Sequence, residues 1–254
     1  MFPFPPLDCH AHVAPDVTAA QTRTLNGAQV FAMTRSIDEF DAAIDNPQSG
    51  LLWGVGTHPG VPGALAQWSE QRFLVAARRS ILIGEVGLDR RGDSAHQADI
   101  LASILRTAPA ALISVHSTGR AKQVVDLVEK HPHPGVILHW FTGDRDDAAR
   151  AAKVGCYFSI NAAMSDEQMT ALPLDRILPE TDFPASRSRT RARTPGDTAA
   201  LERTVARLAR EDVSQVRQRW YGNLGALCEH AGVRDDLPLT LRDLVDRASQ
   251  SPSS

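Results

Sequence analysis

Cysteine is scarce in this chain of 254 residues. The three cysteines, Cys9, Cys156 and Cys228, are widely spaced and form neither a CxxC pair nor an even-numbered set. This spacing excludes a zinc knuckle and a framework of disulfides. Because so few cysteines are typical of a reducing compartment, we expect a cytoplasmic location.

Long hydrophobic runs and a strong charge imbalance are absent too. No stretch approaches the roughly 18 apolar residues of a membrane span, and the opening residues MFPFPPLD have neither the basic nor the apolar region of a signal peptide. We therefore expect no membrane contact. The formal net charge of −3 neither demands nor forbids nucleic acid, because a local basic patch is enough to bind it.

Short apolar runs alternate with helical segments along the whole chain. Repeated strand–helix units are typical of a parallel sheet, and eight of them in this length favour a TIM-type (β/α)8 barrel, an α/β fold, over an open sheet. The predicted strands cover residues 7–13, 29–34, 51–59, 80–89, 111–117, 135–143, 156–161 and 176–184.

The segments between these strands have the spacing of apolar residues that amphipathic helices require. We predict a single domain over residues 1–254, with a disordered polar tail at 249–254 and a charged loop at 187–194. The predicted helices cover residues 37–45, 63–77, 95–107, 119–130, 144–153, 165–172, 197–211, 213–231 and 239–248.

Histidines and carboxylates recur near the ends of the predicted strands. In a barrel, the carboxyl ends of the strands face one opening and supply the catalytic groups. A mixture of imidazole and carboxylate groups suits a divalent ion such as Zn²⁺, Mn²⁺ or Mg²⁺. The candidates are Asp8, His10, His12, His58, Glu85, Asp89, His116, His139, Glu180 and Asp182. Of these, Asp8, Asp89 and Glu180 would orient ligand imidazoles, with a structural cap or ion-pair partner as the alternative.

This set is too large for one tetrahedral ion. Two ions that share one carboxylate would employ more of these candidate ligands, and such a pair of ions activates water for phosphoester hydrolysis. The three lysines of the chain, Lys122, Lys130 and Lys153, fall in predicted helices, so none of them can serve as a modified bridging group. Glu85 is therefore the candidate bridge.

Several motifs carry a family resemblance. LDCHAH, GVGTHPG, IGEVGLD, VHS, LHWFTG, PLDRILPETDFP and YGN, in this order over about residues 7–228, resemble the TatD-like metal-dependent hydrolases of the amidohydrolase superfamily. The resemblance implies a TIM-type barrel with two divalent ions, or three. It implies one ion on His10, His12, Glu85 and Asp182, and a second on Glu85, His116 and His139.

The resemblance also implies a function. The family is associated with deoxyribonuclease activity, often as a 3′–5′ exonuclease, on single-stranded or damaged DNA. It also occurs in bacterial antiphage operons, which implies protein partners in a defence complex. We assign catalysis to Glu85 and to Asp182, which would hold the attacking water and accept its proton.

Four further residues are candidates for substrate binding. His58 would contact the leaving group or the scissile phosphate, although a structural histidine in the turn before Pro59 explains it equally well. Arg187, Arg189 and Arg191 alternate in the segment after Asp182 and would clamp a nucleic-acid backbone. A solvated basic loop, or a loop that docks an acidic partner, is the alternative.

Departures from the family pattern keep other functions open. Gly60 and Thr118 stand where family members often have a second histidine and a basic residue, and Trp140 stands where they often have cysteine. Substrate preference is therefore not fixed by the motifs. Hydrolysis of a small ester, lactone or amide is one alternative, and a barrel that serves as a binding platform in a larger complex is another.

Overall fold

The protein is described here by a computed structural model covering residues 3–250, which is built around eight parallel strands. Each strand is shorter than its predicted range, because those ranges included the loops that follow the strands. The strands are β1 (Leu7–His12), β2 (Gln29–Met33), β3 (Leu51–Gly54), β4 (Leu82–Gly87), β5 (Leu112–His116), β6 (Val136–Leu138), β7 (Tyr157–Ile160) and β8 (Ile177–Pro179).

The strands close into a ring. Regular hydrogen-bond ladders join β1, β2 and β3 into one sheet and β4, β5, β6, β7 and β8 into another, each in chain order. At the β3–β4 seam, the Val55 N–H donates to the Leu82 carbonyl at 3.1 Å. At the β8–β1 seam, the Asp182 N–H donates to the His10 carbonyl at 2.9 Å and the His12 N–H donates to the Phe183 carbonyl at 2.7 Å. The predicted TIM-type (β/α)8 barrel in one domain is confirmed.

Helices cover the outside of the ring. Their amphipathic pattern is clear in the segment 121–130, which buries Val124, Val125 and Val128 against the barrel. The helices are α1 (Ala19–Arg23), α2 (Ile37–Ile44), α3 (Pro62–Ala66), α4 (Glu70–Ala77), α5 (Ser94–Thr107), α6 (Ala121–Lys130), α7 (Arg145–Lys153), α8 (Asp166–Thr170), α9 (Arg187–Thr190), α10 (Ala199–Ala209), α11 (Val213–Ala231) and α12 (Leu239–Gln250).

The helices differ from the prediction in several places. The single helix expected at 63–77 is two helices, because the Ser69 hydroxyl accepts a bond from the Arg72 N–H and starts α4 anew. The charged segment 187–194 begins as the short helix α9 rather than as a loop. Helix α12 includes residues 249 and 250 of the predicted tail, and 251–254 lie outside the described residues.

The core lies inside the barrel and between the barrel and its helices. Trp220 and Tyr221 of α11 and Phe31 of β2 are among its largest fully buried side chains. All residues of β2 and of β4 are buried, as expected for strands covered on both faces. Within the described residues, no helix combines the length and apolarity that a membrane span needs.

Candidate metal centre

Seven side chains meet at the carboxyl ends of the strands. Three groups of them lie close enough to hold an ion, with candidate ligand atoms within 4.8 Å of one another: His10, His12 and Asp182; His10, Glu85 and His139; and His58, Glu85 and His116. All six predicted ligands therefore meet in one cluster. The cluster also includes His58, which the sequence pattern assigned to the substrate.

Glu85 lies at the centre of this cluster and presents its two oxygens to different histidines. Its Oε2 lies 3.2 Å from His12 Nε2 and 3.7 Å from His10 Nε2. Its Oε1 contacts His116 Nδ1 and lies 3.4 Å from His139 Nε2. The two oxygens thus face the two predicted ligand groups separately, as a carboxylate that bridges two ions must.

Two buried atoms of the cluster have no hydrogen-bond partner. His10 Nε2 and Glu85 Oε2 are both inaccessible to solvent and unpaired within residues 3–250. A buried polar atom without a partner costs about 1–3 kcal/mol. An imidazole nitrogen and a carboxylate oxygen that face each other at 3.7 Å suit a divalent cation, which would satisfy both. The residues present therefore fit a metal ion.

Each imidazole uses its other ring nitrogen to fix its orientation. His10 Nδ1 lies 2.7 Å from the Ser114 hydroxyl, and His12 Nδ1 lies 3.2 Å from the Met33 carbonyl. Because that carbonyl can only accept, Nδ1 of His12 carries a proton, and in the neutral ring Nε2 then has the lone pair that a metal ligand needs. Support of this kind orients metal-binding histidines in proteins.

Carboxylates support His139 and His116, whereas His58 Nδ1 accepts a bond from the Gly60 N–H at 2.9 Å. His139 Nδ1 lies 3.0 Å from Glu180 Oε2, and the Asn161 amide donates to Glu180 Oε1 at 2.8 Å. His116 Nε2 lies 3.0 Å from Asp89 Oδ2. The sequence left Glu180 and Asp89 open between orienting groups and structural caps, and the structure gives them the orienting contacts.

Sequence reasoning missed the neutral residues behind Glu180 and behind His10. The Ser159 hydroxyl donates to Glu180, and Asn161, two positions further along the chain, donates to the same carboxylate. Ser114 lies two positions before His116 on β5. In each pair the spacing of two places both side chains on one face of a strand, so the alternation carried a usable signal.

Burial and neighbouring charges shift the acidity of the cluster strongly. Burial lowers the pKa of His10 to about 3, and nearby His139 adds to the effect. Burial raises the pKa of Asp182 to about 7. For Glu85, burial acts upwards, but the imidazoles of His116 and His58 outweigh it and hold the pKa well below its usual range. Shifts of this size are typical of functional sites.

The chain turns away from the barrel wall at Asp182, which follows β8. Its φ of 49° lies in the left-handed region that non-glycine residues rarely adopt. The turn is held by buried Asp8, which accepts bonds from the Thr181 N–H at 2.9 Å, the Thr181 hydroxyl at 2.6 Å and the Gly196 N–H at 2.8 Å. Asp8 is therefore a structural support behind the cluster and not a member of it.

A cavity of about 420 Å³ opens over the cluster. Of the predicted substrate residues, His58 and Arg189 line this cavity, and the Arg189 guanidinium lies 4.2 Å from the centre of the Trp140 ring. Arg187 and Arg191 do not line it. Their predicted alternation assumed an extended loop, whereas residues 187–190 form α9, in which alternate residues do not share a face.

Comparison with known proteins gives concordant matches. The TatD-related DNase family model matches residues 7–228. The chain is 30% identical over 175 residues to the 3′-5′ ssDNA/RNA exonuclease TatD of Enterobacter lignolyticus (strain SCF1), covering 61% of this chain and 67% of that protein. It is 28% identical over 191 residues to the enzyme of the same name from Cronobacter turicensis, covering 66% and 72%.

Solved structures agree in fold. The TatD homologue YjjV of Escherichia coli K12 superposes with a TM-score of 0.70 at 19% identity, covering 87% of this chain and 96% of that one. A TatD-family hydrolase from Entamoeba histolytica gives 0.71 at 15% identity, covering 89% and 99%. With the barrel and the ligand cluster, these matches show that the chain is a hydrolase of the TatD-related DNase family.

Proposed function

We propose that the protein is a metal-dependent phosphodiesterase that shortens DNA from strand ends, with single-stranded DNA as its preferred substrate. Two divalent ions, or three, of Zn²⁺, Mn²⁺ or Mg²⁺ would serve as cofactors. One ion would be held by His10, His12, Glu85 and Asp182, and a second by Glu85, His116 and His139. The names of the relatives, 3′-5′ ssDNA/RNA exonuclease, support the substrate class and the direction.

The arrangement of Glu85 carries this proposal. Its two oxygens face separate groups of imidazoles, and a cation would satisfy Oε2 and His10 Nε2, which have no hydrogen-bond partner within the described residues. Ions bound here would polarise a phosphate and lower the pKa of water. The side chains of the cluster are almost entirely buried, which strengthens every charge interaction at the phosphate.

Asp182 has the position and environment of a proton acceptor. Its carboxylate lines the cavity, and it is the only carboxylate besides Glu85 among the described residues that do so. Asp182 would hold the attacking water and accept its proton. His58 Nε2 lies 3.3 Å from Glu85 Oε2, which would place an imidazole beside the phosphate or its leaving group.

Cleavage of end-labelled DNA tests the proposal. Purified protein with added Mn²⁺ would be incubated with 5′-labelled single-stranded DNA, duplex DNA and RNA, beside a Glu85→Ala control. We expect successive shortening of the single strand from its 3′ end, and no shortening by the control. Absence of metal-dependent cleavage, or equal cleavage by Glu85→Ala, would contradict the proposal.

The same assay separates the alternatives. Turnover of small esters, lactones or amides without cleavage of DNA would support the amidohydrolase alternative. Binding of DNA or protein without turnover of any of these substrates would support the binding platform. The cytoplasmic location and the partners in a bacterial defence complex stay predictions from the sequence.

A further inference from the structure

Two consecutive arginines after β4 reach the cavity through space that two glycines leave open. A Cβ atom at Gly60 would lie 2.4 Å from Arg91 Nη2, and a Cβ atom at Gly119 would lie 3.2 Å from the Cβ and 3.3 Å from the Cδ of Arg90. Gly119 also has a φ of 67°, which disfavours other residues. Both arginines line the cavity over the cluster.

Arg90 and Arg91 lie beside two of the positions, Gly60 and Thr118, at which the sequence departs from the family pattern. A side chain at residue 60, where family members often have histidine, would occupy the position of the Arg91 guanidinium. The Arg90 N–H donates to the Thr118 carbonyl at 3.0 Å, and the Arg90 stem packs over Gly119. Arg91 thus lies beside Gly60, where family members often have histidine, and Arg90 lies beside Thr118, where they often have a basic residue.

These cations differ in how far their charge is already neutralised. Arg91 pairs with Asp89 through two bonds, of 2.9 and 2.7 Å, yet its side chain remains 67% exposed. Within residues 3–250, no carboxylate forms an ion pair with Arg90 or with Arg189, and Arg189 stacks on Trp140. Three guanidinium groups therefore lie at the opening of the cavity. That of Arg91 has an acidic partner, and those of Arg90 and Arg189 have none within the described residues.

We propose that Arg90, Arg91 and Arg189, here called the arginine rim, bind a phosphodiester that neighbours the scissile one. This inference rests on the proposed function and deepens it. The scissile phosphate would bind at the metal cluster at the base of the cavity. The cations at its opening are therefore placed to bind the next phosphate along the strand. The planar fork of arginine matches phosphate oxygens in pairs. The rim thus selects strands with at least two consecutive phosphates over small diesters.

Binding measurements test the rim without any turnover. The anisotropy of a fluorescein-labelled single-stranded octanucleotide would be followed in EDTA at several salt concentrations, with Arg90→Gln, Arg189→Gln and the wild type. Arg203→Gln is the matched control, because Arg203 is exposed on α10 outside the cavity. Each rim variant is expected to bind about threefold to tenfold more weakly, and its slope of log K against log salt should fall by about 0.7. Unchanged slopes, or the same fall in Arg203→Gln, would overturn the proposal.

Kinetics with two substrates then locate the phosphate. The ratio kcat/KM would be measured on the octanucleotide and on bis(p-nitrophenyl) phosphate, which contains one phosphate. The loss in Arg90→Gln should be at least about fivefold larger on the octanucleotide. Equal losses on both substrates would overturn a contact to the neighbouring phosphate. A wild type that binds DNA through the rim but cleaves neither substrate would contradict the proposed hydrolysis and support the rim.

Discussion

At the scale of single residues, the histidines of the cluster are held by groups behind them. His139 is the clearest case, since Glu180 fixes its Nδ1 while its Nε2 faces Glu85. Glu180 in turn is satisfied by Ser159 and Asn161. Side chains fixed in this way lose little entropy when an ion binds, so the site is prepared before the ion arrives.

Replacement of Asp182 by asparagine separates proton transfer from ion binding. Asparagine keeps one oxygen for an ion but cannot accept a proton from water. We expect kcat on single-stranded DNA to fall by at least about 100-fold, while metal content, measured by mass spectrometry, stays close to that of the wild type. Activity within a few-fold of the wild type would rule out a proton acceptor at this position.

Replacement of Glu180 by glutamine tests the support behind His139. The amide is nearly isosteric but removes the negative charge that faces His139 Nδ1. Metal affinity, followed by calorimetric titration, should fall about 10–100-fold. Exposed Glu167 on α8 provides the control, and Glu167→Gln should bind metal as the wild type does. Equal affinities in Glu180→Gln and in the control would show that this carboxylate does not support the site.

At the scale of elements, the seam between the first and last strands decides where the cluster forms. His10 and His12 bond across this seam to the backbone of Asp182 and Phe183, so both ligand segments share one edge. Asp8 locks the seam from behind through Thr181 and Gly196. Closure of the barrel therefore brings the two ligand segments together.

Substitution of Asp8 by asparagine should weaken this seam. The carboxylate accepts bonds from three N–H groups and one hydroxyl, whereas an amide group would turn a donor towards some of these donors. We expect the free energy of unfolding to drop by about 2–3 kcal/mol, measured by urea denaturation. Asp16→Asn at an exposed position should change it by less than about 0.5 kcal/mol. An equal effect in both variants would argue against the lock.

Much of this arrangement was predictable because strands have a period of two. His10 and His12 share a face of β1, and Glu85 follows the buried start of β4. The barrel then requires strand ends to meet, which brings His116, His139 and Asp182 to the same opening. Local spacing and the symmetry of the fold were therefore sufficient for the list of candidates, and the family resemblance selected the six ligands among them.

The rest depended on contacts that spacing does not reveal. Arg187 and Arg191 do not line the cavity because the segment after Asp182 forms the short helix α9. No side chain caps the start of α9, so the sequence lacks the usual signal for a helix there. Arg90 and Arg91 directly follow the candidate Asp89 and could be expected near the site from that position, but their packing beside the distant glycines Gly60 and Gly119 could not. Such contacts become visible only when segments far apart in sequence are packed together.

At the scale of the whole molecule, ions bound at this cluster would link both sheets of the barrel. The six predicted ligands come from β1, β4 and β5 and from the segments that follow β6 and β8, and the regular ladders leave β1 in a separate sheet from the others. An ion that binds only the closed barrel stabilises it by mass action. Metal binding and global stability should consequently rise together.

Thermal unfolding measures this link. At an Mn²⁺ concentration about 100 times its Kd, stabilisation of about 2.7 kcal/mol is expected, or a rise in Tm of about 5–10 °C for a domain of this size. Excess EDTA should reverse the rise. Glu85→Gln should show little or no rise because it loses the shared carboxylate. A rise of the same size in Glu85→Gln would place the stabilising ion elsewhere.

Whether this cluster holds divalent ions with Glu85 between them can be seen in an anomalous difference map from crystals grown with Mn²⁺. We expect two peaks in the cavity, one about 2.0–2.2 Å from the ligand atoms of His10, His12 and Asp182 and one at that distance from His116 and His139. Each peak should contact one oxygen of Glu85. A map with no peak at Glu85, or with its strongest peak outside the cavity, would show that the cluster is not the metal site.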